Sequence, residues 1–167
     1  MTQGENKLHE LTSQELNQRS LRSFKQLFAS LAPPDLLSIQ GVHQAEFVGP
    51  AWLRRSAGPL LALGGLQNWW GKEFDGSGGG KNIVRRRGSL ERVLPMEIQE
   101  RVSLVDARPG VALTYPPGSR FPWPRFVDEL RQLSEGRLLG LGVMNVRWLR
   151  KLAFPFLLHS REHVDGL

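Results

Sequence analysis

The chain has 167 residues, the size of one ordinary domain with a sizeable core, and its 40% hydrophobic and 23% charged residues exclude a disordered chain. The formal charge is +6, with 17 Arg against 5 Lys, which favours phosphate, nucleic acid or anionic surfaces at long range. No apolar run approaches the roughly 20 residues of a transmembrane helix, and the absence of cysteine excludes disulfides, thiolate nucleophiles and cysteine-ligated metal.

Met1 to Asn6 is polar and carries no basic stretch followed by an apolar core, so a cytoplasmic protein without a signal peptide is expected. Residues 1–10 read as a frayed start, 11–162 as a single β-rich domain and 163–167 as a polar tail. Thr12 and Glu15 have the spacing of a capping box, and Leu11 and Leu16 that of a hydrophobic staple. Leu21, Phe24, Leu27, Phe28 and Leu31 then repeat at helical spacing until Pro33-Pro34. The pattern predicts an N-terminal helix that docks its apolar stripe on a sheet. Gly41 to Val48 reads as a strand. Ala51 to Leu63 reads as a short apolar helix broken at Gly58-Pro59, a cap or lid at one end of the sheet.

Trp69 to Phe74, the glycine-rich Asp75 to Gly80 and Lys81 to Arg87 read as an aromatic strand, a flexible tip and a basic strand. Simple alternation puts Trp70, Lys72 and Phe74 on one face and Trp69, Gly71 and Glu73 on the other. Lys72 then either reaches into a partly polar interior or snorkels at a rim. Leu94, Met96, Ile98 and Val102 alternate with Glu97, Gln99 and Arg101, and Val111, Leu113 and Tyr115 return across the turn at Asp106 to Gly110. This predicts an antiparallel hairpin over 94–115. Pro116 to Pro124 is a stiff loop with Phe121 and Trp123. Residues 125–133 have helical spacing by local chemistry, yet as a strand they would supply the neighbour that the apolar Leu138 to Met144 needs. Residues 146–153 suggest a short basic helix and 154–159 a last buried strand.

Phosphate and metal motifs fail. Before Gly80-Lys81, Asp75 stands where a P-loop needs its first glycine, and Asn82 stands where it needs a hydroxyl. Gly140-Leu141-Gly142 has Asn145 at the third position of the dinucleotide pattern. The histidines His9, His43, His159 and His163 form no zinc spacing, His43 and Glu46 project to opposite faces of one strand, and no serine-hydrolase elbow occurs. No metal and no cofactor is predicted.

The run Trp69-Trp70-Gly71-Lys72-Glu73-Phe74 resembles the Trp-aromatic-Gly-Lys-x-Phe signature of uncharacterised bacterial GXWXG-type proteins. Tyr115, Asp128 to Arg131, Leu138-Leu139-Gly140 with Met144, and Phe156 to Arg161 resemble further stretches of that family in order. Its naming motif is altered here, with His43 in place of Trp and Ala45 in place of the second Gly. The resemblance implies a lipocalin-like β-barrel with helices at one end, a strand over 125–133, and no established activity. We adopt that strand. The expected fold is mainly β (α+β), an antiparallel lipocalin-like barrel of roughly eight strands with an N-terminal helix and a short helical insertion at 51–63.

Such a barrel can enclose one small ligand. The leading functional expectation is therefore binding of a small apolar or amphipathic molecule, with Trp70, Lys72, Tyr115, Trp123 and Arg131 as lining residues. Lys72 and Arg131 would neutralise an acidic head. An alternative is a basic module in which Arg85, Arg86 and Arg87 contact nucleic acid or an anionic surface. A third is an enzyme with Asp128 or Glu129 as general base in the barrel.

Overall fold

The computed structural model describes residues 10–162. Most of the expected frayed start and the polar tail, with His9 and His163, lie outside the described residues. Eight antiparallel strands follow one another: β1 (Gly41–Phe47), β2 (Trp69–Phe74), β3 (Gly79–Arg86), β4 (Ser89–Val102), β5 (Pro109–Thr114), β6 (Phe126–Ser134), β7 (Arg137–Met144) and β8 (Ala153–Arg161). Each pairs with the next and β8 returns to β1, so the sheet closes into a barrel. Closure pairs every strand on both sides and leaves no open sheet edge. Residues 126–134 are a strand, as the need for a neighbour to β7 required: Phe126 to Ser134 pair along β7.

Period two sorts the side chains. Val111, Leu113, Leu130, Leu138 and Leu158 point inward into one core, with Tyr115, Trp123 and Phe156. Leu139, Leu141, Val143 and Leu157 point outward into a second core. The sequences of β7 and β8 are nearly continuous apolar runs because both of their faces are covered. What covers the outer face is the N-terminal region. Thr12 caps α1 (Ser13–Asn17) in the predicted capping box, and Ser20 caps α2 (Leu21–Ser30) by accepting from the Ser23 amide. Phe24 and Phe28 of α2 are fully buried against the barrel's outside. The single helix expected from residue 12 to 31 is thus two, because Ser20 restarts the helix with its own cap.

Three local expectations are corrected. The α3 helix (Ala51–Leu63) runs unbroken through Gly58-Pro59. Pro59 removes one amide on a turn where it and Arg55 are exposed, which the helix survives. Residues 146–151 form turns rather than a helix: Leu149 and Arg150 bond back to the Val146 carbonyl and the chain then enters β8. Val102 is exposed rather than inward, because it pairs with Pro109 at the far end of the β4–β5 hairpin, beyond the core. The glycine tip is also held: Asp75 Oδ1 accepts from the Ser77 and Gly79 amides at 2.8 and 3.0 Å.

Candidate functional site

The inner face of β2 is set by a bulge. Trp69 pairs with Val84 and Gly71 with Ile83, which leaves Trp70 as the extra residue. A bulge shifts the alternation by one position. Trp69 therefore shares the inner face with Lys72, and Trp70 does not line the interior cavity. Gly71 is required by close approach: a Cβ there would run into the His43 carbonyl of β1.

Lys72 is 1% exposed, yet its ammonium is fully partnered. It donates to Asn82 Oδ1 of β3 and to the Tyr115 hydroxyl just after β5, and it pairs with Asp128 Oδ2 of β6, each at 2.9 Å. Two of its N–H bonds meet the oxygens of Asn82 and Tyr115, the third points at Met96 Sδ at 3.9 Å, and Asp128 balances the charge. The Tyr115 hydroxyl in turn donates to Asp128 Oδ2 at 2.6 Å, and Trp69 Nε1 donates to Asn82 Oδ1 at 3.1 Å. Asn82 Nδ2 is anchored on the Leu94 carbonyl at 3.1 Å. The ammonium also lies 5.3 Å from the Trp69 ring centre and 5.5 Å from that of Tyr115. Burial lowers the Lys72 pKa, and the Asp128 charge opposes that shift. Burial first, and then Asp128, pushes the Tyr115 hydroxyl well above the ordinary tyrosine value. A buried pair of this kind is tolerated only with such complete hydrogen bonding.

Asp128 Oδ1 differs from the rest. Its partner oxygen Oδ2 serves both Lys72 and Tyr115, whereas Oδ1 accepts no hydrogen bond from any described residue. Gly142 stands opposite Asp128 across the β6–β7 pair, and a Cβ at that position would come within 3.2 Å of Oδ1. The missing side chain leaves room beside this oxygen. That room belongs to a cavity of about 260 Å³, walled mostly by apolar side chains that include Phe47, Trp69, Trp123, Phe126, Met144 and Phe156. It is smaller than the roughly 300–1,000 Å³ of drug-sized sites. Phe156 lies over Gly140, where any Cβ would collide with its ring. Trp123 is fixed by Tyr115 and Phe126 at ring distances of 5.3 and 5.4 Å, and by a 2.7 Å bond from its indole N–H to the Gly64 carbonyl. At one end α3 contributes Ala57, Leu60 and Leu61, and the turn after β7 contributes Leu149 and Leu152.

This is a lipocalin-like barrel. A crystal structure of a protein from Thermomonospora curvata is similar to it with a TM-score of 0.64, over 84% of this chain and 87% of that one. At 19% identity the likeness is one of fold alone. No family model matches the chain, and no curated protein is similar to it. The likeness to GXWXG-type proteins thus rests on the motifs by themselves.

Of the five residues expected to line a site, the structure brings Lys72, Tyr115 and Trp123 to one cavity. Trp70 is displaced by the bulge. Arg131 is on the other side of the sheet: β6 turns Phe126, Asp128 and Leu130 inward, and Glu129 and Arg131 outward. Its guanidinium lies over the Phe28 ring at 4.5 Å, reaches Asp106 at 3.3 Å and rests on Gly110. It clamps α2 to the barrel and meets nothing in the cavity. Glu129 is likewise outside, accepting from the Ser103 hydroxyl and the Leu104 amide, with its pKa raised by burial. Of the two candidate bases, only Asp128 faces the cavity. His43 packs edge-on to Phe74 at 5.1 Å, and Glu46 bonds His159 on the outer face at 3.0 Å. Among the described residues no group of three or more His, Asp or Glu is arranged to hold a metal. Arg85, Arg86 and Arg87 are exposed at the β3–β4 turn, and Arg86 pairs with Glu91 at 3.1 Å.

Sequence reasoning missed Asn82 as a lining residue. Gly80-x-Asn82-x-Val84 alternation could have found Asn82 as the acceptor that an inward Lys72 needs. Nothing local marks the bulge.

Proposed function

We propose that the barrel binds a small, largely apolar molecule that carries one hydrogen-bond donor, a hydroxyl or an N–H, placed against Asp128 Oδ1. The observation that carries this reading is an oxygen without a donor, on a side chain 6% exposed, facing an apolar cavity. Oδ1 opens into the cavity, and a ligand donor placed there adds a hydrogen bond to a carboxylate oxygen worth about 1.5–3 kcal/mol. The acidic head group expected from the sequence has no support here. All three Lys72 N–H bonds are committed within the protein, Arg131 lies outside the barrel, and a carboxylate in the cavity would face Asp128.

The test uses two ligands of one chain length, a medium-chain primary alcohol and the corresponding fatty acid. Affinity is read by calorimetry and by the emission of Trp69 and Trp123. The alcohol is expected to bind about tenfold or more tightly than the acid at neutral pH, the worth of one hydrogen bond to a charged acceptor. Gly142→Ala, which places a methyl group beside Oδ1 and against Phe126, is expected to weaken the alcohol. Tighter binding of the acid would refute the donor assignment. Binding of neither, with no small molecule released on unfolding in native mass spectrometry, would refute the carrier reading.

A further inference from the structure

The eight sequential strands have seven connections, four at one end of the barrel and three at the other. Here one end collects residues 48–68 with α3, the β3–β4 hairpin at 85–90, the loop 115–125 and the turn 145–152. These four stretches contain ten of the 22 Lys and Arg residues and none of the 16 Asp and Glu. The nearest acid in sequence to the hairpin is Glu91, which pairs with Arg86. Every connection at the opposite end carries an acid: Asp75, Asp106 and Glu135. The charge of the molecule is therefore polarised along the barrel axis, which no property of any one segment shows.

The cationic end is also where large apolar side chains stand in solvent. Trp148 is 76% exposed, Leu63 74%, Phe121 73% and Leu60 48%. Leu60 is at once exposed and part of the cavity wall, and Trp148 and Phe121 neighbour the lining residues Leu149 and Pro122. The exposed apolar groups thus ring the end of the cavity that α3 covers, with Arg147, Arg150 and Lys151 among them and exposed.

We infer that this end of the barrel docks on an anionic lipid bilayer. Tryptophan and phenylalanine settle at the headgroup level, aliphatic tips enter the acyl boundary, and each nearby Lys or Arg adds attraction to anionic lipid. Complementarity of charge selects the bilayer over a neutral surface. The exposed aliphatic Leu60 and Leu63 favour it over nucleic acid, since neither offers a face on which a base can stack whereas both can enter the acyl boundary. The inference stands on the surface alone and holds whatever the cavity binds.

The experiment is flotation of the full chain with vesicles of phosphatidylcholine alone or mixed with phosphatidylglycerol, at low and physiological salt. Binding is expected only with phosphatidylglycerol and is expected to weaken as salt rises. The variant Arg147→Gln/Arg150→Gln/Lys151→Gln should lose affinity on the order of a hundredfold, about fivefold per charge. Lys81→Gln, exposed toward the other end of β3, should bind as the parent does. Lipid with brominated acyl chains should quench the parent's tryptophan emission more than that of Trp148→Phe. Failure to float with anionic vesicles at low salt would overturn the inference. So would equal floating of the triple variant, or binding to single-stranded RNA without binding to vesicles.

Discussion

Lys72 carries its charge inside the barrel because Asn82 and Tyr115 accept its N–H bonds and the Asp128 carboxylate pairs with its charge. Removing one partner strands the other. Lys72→Met alone or Asp128→Leu alone is expected to cost about 3–5 kcal/mol in urea unfolding, whereas Lys72→Met with Asp128→Leu should recover most of that loss. Tyr115 gives the network a spectroscopic handle, since it is the one tyrosine in the chain. Its folded pKa is raised above the ordinary 10.0 by burial and by Asp128. A raised pKa means that the stability from this group is fully present below the unfolded value and is lost as pH rises toward the folded one. The slope of that loss is about 1.4 kcal/mol per pH unit. Lys72, with its pKa lowered, acts in the opposite sense over the alkaline range. Ultraviolet titration at the tyrosinate band should therefore show no ionisation near pH 10 until the protein unfolds. Ordinary titration in the folded state would contradict the buried network.

At the scale of elements, α2 and the outer face of β6 depend on each other through Arg131. Its guanidinium is sandwiched between the Phe28 ring and Gly110 while paired with Asp106. Arg131→Ala leaves a buried carboxylate unpaired and opens space beside Phe28, at an expected cost of about 3–5 kcal/mol. Hydrogen exchange should show α2 opening first, since it has lost its clamp. Affinity for cavity ligands should be unchanged in the folded protein, because the cavity lies across the sheet. A selective loss of ligand affinity at unchanged stability would place Arg131 in the site after all. The α3 helix belongs to the same scale: Leu53 and Ala57 bury one side, and Leu60 and Leu63 on later turns stay exposed at the cavity's end.

For the whole molecule, ten cations gather at one end in connections that carry no acid, and Glu91 just beyond them pairs with Arg86 alone of the three hairpin arginines. Screening should relieve their repulsion, so raising sodium chloride from low to physiological concentration is expected to raise the melting temperature. The rise should shrink in the Arg147→Gln/Arg150→Gln/Lys151→Gln variant. A melting temperature that falls with salt in this range would mean that ion pairs, such as Arg86 with Glu91, outweigh the clustering.

The barrel was implied by the family resemblance, whereas what residues decide among near neighbours was legible in the sequence itself: the capping box at Thr12, the alternation of β4 and β5, and the turn at Asp106. These depend on spacings of two, three and four residues, which hydrogen bonding and side-chain direction fix locally. Of the candidate lining residues, Lys72, Tyr115 and Trp123 face the cavity, and Trp70 and Arg131 do not. One inserted residue at Trp70 reverses the phase of a strand, and only the pairing of β2 with β3 reveals it. Arg131 shares a strand with Asp128 but not a face, and which face is inside is settled by where the barrel closes and where α2 lies. The unpaired oxygen of Asp128 and the segregation of charge to one end are likewise products of tertiary structure. Each depends on segments far apart in the chain, brought together by the pairing of β8 with β1.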